Sequence, residues 1–77
     1  MHFTIVGGIR NAEAIATGKS VRIHKHLIKR FGPGQWRKMK GEATIRFDDG
    51  GLRRAELHWF EAHGIGRVYL KRKRNLE

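Results

Sequence analysis

Between residues 42 and 72 apolar and polar positions alternate with a period of two. Ala43, Ile45 and Phe47 interleave with Glu42, Thr44 and Arg46, the pattern of a strand with one apolar and one polar face. Asp48-Asp49-Gly50-Gly51 follows, a cluster that supplies positive φ cheaply and suits a tight hairpin. The alternation then resumes, with Ala55, Leu57 and Trp59 on one side and Arg54, Glu56, His58 and Phe60 on the other. Beyond Glu61-Ala62-His63-Gly64-Ile65-Gly66, Val68 and Leu70 point one way and Arg67, Tyr69 and Lys71 the other. The pattern predicts a C-terminal antiparallel meander with strands at about 42–47, 52–60 and 67–72.

Upstream the pattern changes. His2 to Val6 is a short β-prone run that Gly7-Gly8 is expected to end. Ile9 to Ala16 has no clear period, and reads as a short turn of helix capped by Asn11 or an irregular connection, with an extended segment as the alternative. Ile23, Leu27, Ile28 and Phe31 recur at helical spacing, with cations on the remaining faces. Thr17 or Ser20 can cap this helix, Lys29 and Arg30 suit the negative end of its dipole, and Gly32-Pro33-Gly34 stops it. Residues 35–41 read as a basic connection. The fold expected is α+β. One main helix at about 19–31 packs on the apolar face of a three- to four-stranded antiparallel sheet, all in a single domain spanning 1–77. Trp36 and Trp59 are expected in the core.

Charge narrows the function classes. Seventeen Lys and Arg face seven Asp and Glu, a net +10 in 77 residues, and such a field attracts polyanions, nucleic acid first among them. No stretch approaches the roughly 20 apolar residues of a membrane span, and the N-terminal MHFTIVGGIR has no signal-peptide pattern. The expectation is therefore a cytoplasmic protein with no membrane partner. The chain has no cysteine, so disulfides and thiolate metal sites are excluded. His24 and His26 lie two apart on the expected helix, about 200° around it, and cannot grip one ion together. No metal or cofactor is implied.

The polar face of the meander carries the candidate chemistry. Glu56 and His58 project from one strand roughly 6–7 Å apart. Metal-free phosphodiester cleavage needs a base for the 2′-hydroxyl, an acid for the leaving oxygen and cations for the transition state. Glu56 or His58 can serve as the base, and His58, His63 or Tyr69 as the acid. Arg46, Arg54 or Arg67 can supply the positive charge. The plainer reading pairs Glu56 with a cross-strand arginine on a solvated face. Phe60 and Tyr69, set among arginines, can instead stack on unpaired bases without any catalysis. Arg37, Lys38, Lys40, Arg46, Arg54, Lys71, Arg72, Lys73 and Arg74 are the expected phosphate contacts. The two glycines bracketing Ile65 are read as a structural turn ahead of a phosphate cradle.

Trp36-Arg37-Lys38 with Lys40-Gly41, followed by His58-Trp59-Phe60-Glu61-Ala62-His63-Gly64-Ile65-Gly66, resembles a group of small, basic, uncharacterised bacterial proteins with W-R-K-x-K-G and H-W-[FY]-E-A-H-G-I-G. The likeness covers roughly residues 15–74 and implies no activity. In architecture alone, a helix followed by a basic antiparallel sheet is similar to the RelE-like and barnase/EndoU/colicin-type ribonuclease toxins. That likeness implies metal-independent RNA cleavage on a sheet face. The expected function is accordingly that of an RNA-directed protein, first a small metal-independent toxin-type ribonuclease using Glu56, His58, His63, Arg67 and Tyr69. The alternatives are an RNA- or ribosome-binding module without catalysis, or a basic protein that binds an acidic protein partner.

Overall fold

A computed structural model describes residues 2–76. Four strands form one antiparallel sheet in the order β1-β2-β3-β4, with β1 at Phe3–Thr17, β2 at Arg37–Phe47, β3 at Leu52–Ala62 and β4 at Gly66–Asn75. A 3-10 turn at Gly18–Ser20 and one short helix, α1 at His24–Phe31, connect β1 to β2. Strands hold 63% of the described residues, so the α+β expectation survives only in its coarse form. No helix is long and apolar enough to cross a membrane among the described residues.

The hairpin joining β2 to β3 forms as its composition requires. Gly50 takes φ +87°, Gly50 N–H donates to Phe47 O, and Gly51 N–H donates to Asp49 Oδ1 at 2.8 Å, an Asx-type closure. From that turn the β2–β3 register runs without interruption from Arg46 opposite Leu52 to Arg37 opposite Glu61. Residues 35–41 are therefore not simply a connection: β2 begins at Arg37.

Opposed residues of an antiparallel pair share a face, which sorts the side chains. The inner face carries Met39, Gly41, Ala43 and Ile45 of β2 with Trp59, Leu57 and Ala55 of β3, and these side chains form one buried cluster with Phe3, Ile5, Ile9 and Phe47 at its margin. The outer face carries Lys38, Lys40, Glu42, Thr44 and Arg46 with Phe60, His58, Glu56, Arg54 and Leu52.

The expected helix does not cover the inner face. The sheet covers itself by coiling. Phe3 of β1 lines one depression with Leu70 and Arg72 of β4, and the Arg72 guanidinium sits 5.5 Å from the Phe47 ring of β2. The coiling rests on β1, which is far longer than expected and does not end at Gly7-Gly8. Between Val6 and Arg10 it takes four steps while β2 takes two, and Gly7 adopts φ +79°. A second shift lies between Arg10 and Glu13, where Asn11 has φ +54°, and a third between Ala14 and Ala16. Bulges of this kind bend and twist a strand without ending it. The segment read as a turn of helix or an irregular connection is thus strand, the extended alternative.

Where β1 bulges against β2 the packing is tight. A Cβ on Gly41 would lie 2.6 Å from Ile9 Cγ2 and 2.9 Å from Trp59 Cη2, so only glycine fits there.

Helix α1 begins at His24 rather than near residue 19, and neither Thr17 nor Ser20 caps it: its N-cap is Ile23, with no side-chain cap bond. Val21, Leu27, Trp36 and Ala62 form a second buried cluster, with Phe31, Phe60 and Val68 packed against it. Phe60 and Ala62 are outer-face residues, and Val68 sits opposite Phe60. The helix therefore contributes to a cluster on the other side of the sheet, at the end where β1 leaves and β2 enters.

Candidate nucleic-acid interface

On the outer face, Glu56 and His58 follow one another along β3 with a single inward residue between them, and their side chains meet: His58 Nε2 is 2.6 Å from Glu56 Oε2. An ionised carboxylate only accepts, so Nε2 is the donor. Arg74 Nη2, from the residue opposite Glu56 on β4, donates to the other oxygen at 3.2 Å. The His58 hydrogen bond holds the Glu56 carboxyl below its ordinary value, partial desolvation pushes the other way, and Arg74 adds to the lowering. His58 itself is 9% exposed, flanked in register by Lys40 on β2 and Lys71 on β4.

Glu42 stands directly opposite Glu56, an arrangement that repels. It is relieved by Asn11 Nδ2, which donates to Glu42 Oε2 at 2.7 Å, and by Arg74 on Glu56; close by, Lys40 Nζ pairs with Glu13 at 3.1 Å. Together with Arg74 and Leu76 these groups line an open cleft of about 320 Å³. Leu76 is held in place by its backbone N–H on Arg54 O, while Glu77 lies outside the described residues.

The remaining expected catalytic residues are elsewhere. Arg67 lies opposite Glu61 on the inner face, its guanidinium 5.7 Å from the Trp59 ring. There Glu61 accepts from Trp59 Nε1 at 2.8 Å and from Arg37 Nη2. The alternation that put Arg67, Tyr69 and Lys71 on one face fails because β4 takes three steps from Val68 to Lys71 while β3 takes two. His63 is exposed in the turn between β3 and β4, which Gly64 and Gly66 shape with φ +84° and +94°. Tyr69 occupies the bulge at φ +56°. Its hydroxyl is hydrogen-bonded to His26 Nε2 of α1 at 2.7 Å, and its ring meets Phe31 and Phe60 edge-on at 5.3 and 6.4 Å. Of the five residues expected to act together, only Glu56 and His58 touch.

The expected phosphate contacts also divide. Arg37 and Arg72 belong to the inner face. Lys38, Lys40, Arg46, Arg54, Lys71 and Arg74 share the outer face with Phe60, and Lys73 falls in the shift between Arg72 and Arg74. Glu13 takes Lys40 and Glu56 takes Arg74, which leaves Lys38, Arg46 and Lys71 without a carboxylate partner among the described residues. Sequence reasoning missed the contribution of α1. His26 and Phe31 reach Tyr69, and Arg30 Cζ lies 5.3 Å from the Phe31 ring. The density of cations on so short a helix, Lys25, Lys29 and Arg30 around His26, was the available signal. Among the described residues no group of three or more His, Cys, Asp or Glu is placed to hold a metal ion. Comparison with known protein families, with curated proteins and with solved structures finds no match.

Proposed function

We propose that this protein is an RNA-binding module that holds the phosphate backbone on the outer face of its sheet and on the adjoining helix, without cleaving the strand. The observation that carries this reading is the register, which gathers Lys38, Lys40, Arg46, Arg54, Lys71 and Arg74 on one face, beside a helix bearing Lys25, Lys29 and Arg30. Cations so distributed along a surface neutralise successive phosphates and release their counterions. RNA is favoured over duplex DNA because exposed aromatic rings among cations suit unpaired bases, which RNA offers in loops, bulges and ends.

Two observations weigh against cleavage by the expected five residues. Arg67 faces the other side of the sheet, and the Glu56 carboxyl is held low, whereas a general base works best with its pKa near the working pH. Glu56 serves better as the fixed partner of His58 and Arg74. The 2.6 Å contact between Glu56 and His58 nevertheless favours one second reading, metal-independent cleavage with His58 as the acting group.

One preparation tests both. Affinity for a single-stranded RNA is measured across a salt series, and the same end-labelled RNA is then incubated with the protein in EDTA. The binding reading expects log affinity to fall linearly with log salt, by about 0.7 per neutralised phosphate, and the RNA to stay intact. A flat salt response removes nucleic acid as the partner and leaves an acidic protein. Discrete fragments ending in 2′,3′-cyclic phosphate, lost in His58→Ala, replace the binding module with a nuclease.

A further inference from the structure

The bulge in β4 places Tyr69 where a regular strand would not. With unbroken alternation the residue after Val68 would turn to the inner face, since Val68 lies opposite Phe60 on the outer one. The extra step returns Tyr69 to the outer face, against Phe60, at the cost of a left-handed backbone, φ +56°. For a bulky residue that conformation is an outlier, persisting only where the surroundings over-determine it. Here they do. Phe31 and Phe60 back the ring, His26 stacks at 5.8 Å with 25° between the planes, and the His26–Tyr69 hydrogen bond spans 2.7 Å. Yet Tyr69 stays 45% exposed, and His26 is exposed beside it. A ring fixed in orientation but open to solvent gives up little freedom when a second flat group stacks on it.

We infer that Tyr69 and His26 form a seat for one unpaired nucleobase, the point at which a bound strand is read as single-stranded. The inference rests on the RNA-binding reading and adds the base to the backbone. The flanking charge suits the occupant. Lys38 sits opposite Phe60, Lys71 follows the bulge opposite His58, and α1 brings Lys25, Lys29 and Arg30 around His26. A nucleotide stacked on Tyr69 thus has cations on both sides for its own phosphate and its neighbour's. Aromatic stacking accepts any base, since each has a π face, so the seat selects for an unpaired base and against a duplex.

The test compares a short oligoadenylate with an abasic strand of the same length, which keeps the phosphates and lacks the bases. The oligoadenylate is expected to bind about 10-fold more tightly. Tyr69→Ala is expected to remove that preference while leaving affinity for the abasic strand unchanged. Tyr69→Phe keeps the ring and is expected to keep most of the preference. If Tyr69 only latches α1 to β4, Tyr69→Phe and Tyr69→Ala act alike and the preference for bases survives both; this overturns the seat. Equal affinity of the wild-type protein for the two strands also overturns it and leaves the RNA-binding reading standing. Failure of both strands to bind removes that reading as well.

A second measurement needs no substitution. The chain has one tyrosine, so fluorotyrosine incorporated during expression gives a single fluorine resonance. That resonance is expected to shift with oligoadenylate and stay in place with the abasic strand. The same response to both strands refutes the seat.

Discussion

The two apolar clusters of this protein solve the same problem in different ways. The inner one, around Ala43, Ile45, Ala55, Leu57 and Trp59, is closed by the coiling of its own sheet, and all five side chains are at most 1% exposed. The outer one, around Val21, Leu27, Trp36 and Ala62, is closed by a connection, the turn and short helix between β1 and β2. Polar groups near each follow suit. On the inner face Glu61, Arg37 and Arg67 are committed to one another or to Trp59. Around the outer cluster His26, Tyr69 and Arg30 form a rim that solvent reaches. A face that seals itself leaves no room for a ligand, whereas a face capped by a short helix has an edge where one can sit. The small chain gains its stability on one side and keeps its accessible chemistry on the other.

The sharpest way to break this division is at Gly41, against the β1 bulge. Gly41→Ala drives a methyl into Ile9 and Trp59, and is expected to destabilise the fold by about 3 kcal/mol and to lower Tm by roughly 15 °C. Leu27→Ala, in the outer cluster, leaves a gap that a short helix can partly close, with an expected loss of about 2 kcal/mol. Hydrogen exchange should then rise in α1 while the amides of β2 and β3 around Ala43 and Leu57 stay protected. If the clusters are independent, Leu27→Ala combined with Ile45→Val should be additive to within about 0.5 kcal/mol in urea unfolding. A larger coupling would mean a single core.

Acid sharpens the comparison differently. The folded-state pKa of Glu56 is depressed below its ordinary 4.5, so its contribution to stability is present above that value and is lost as pH falls through the folded one. Glu56→Gln should flatten the fall in urea midpoint in that window. The smallest effect belongs to the exposed Glu13–Lys40 pair, whose coupling in a double-mutant cycle should stay below about 0.5 kcal/mol.

The first two strands of the meander were legible because nothing interrupts their period. From Ala43 to Ile45 and from Ala55 to Trp59 every second residue is inward, and the Asp-Asp-Gly-Gly turn marks the reversal. β1 was illegible for the opposite reason. Each extra residue at a bulge flips the phase of the alternation, and three shifts between Val6 and Ala16 erase it. The same effect in miniature misplaced Arg67 relative to Tyr69. At the site, Glu56–His58 could be anticipated from spacing along one strand. The His26–Tyr69 pair joins residues 43 apart, and no local pattern encodes a contact that depends on a bulge in one element and on the late start of another. The helix was expected on the inner face because that face is the more apolar, and a sequence carries no direct sign that a sheet will coil over itself.

The chain has two tryptophans, and each cluster holds one. Trp36 donates its indole N–H to Gly32 O, a backbone carbonyl, while Trp59 donates to the carboxylate of Glu61 and lies beside the Arg67 guanidinium. The two emitters therefore sense different fields, one neutral and one charged. Replacing either with phenylalanine leaves a fluorophore that reports on a single face. Coincident transitions from the two variants would identify one cooperative unit, and separated ones would give the order in which the faces come apart.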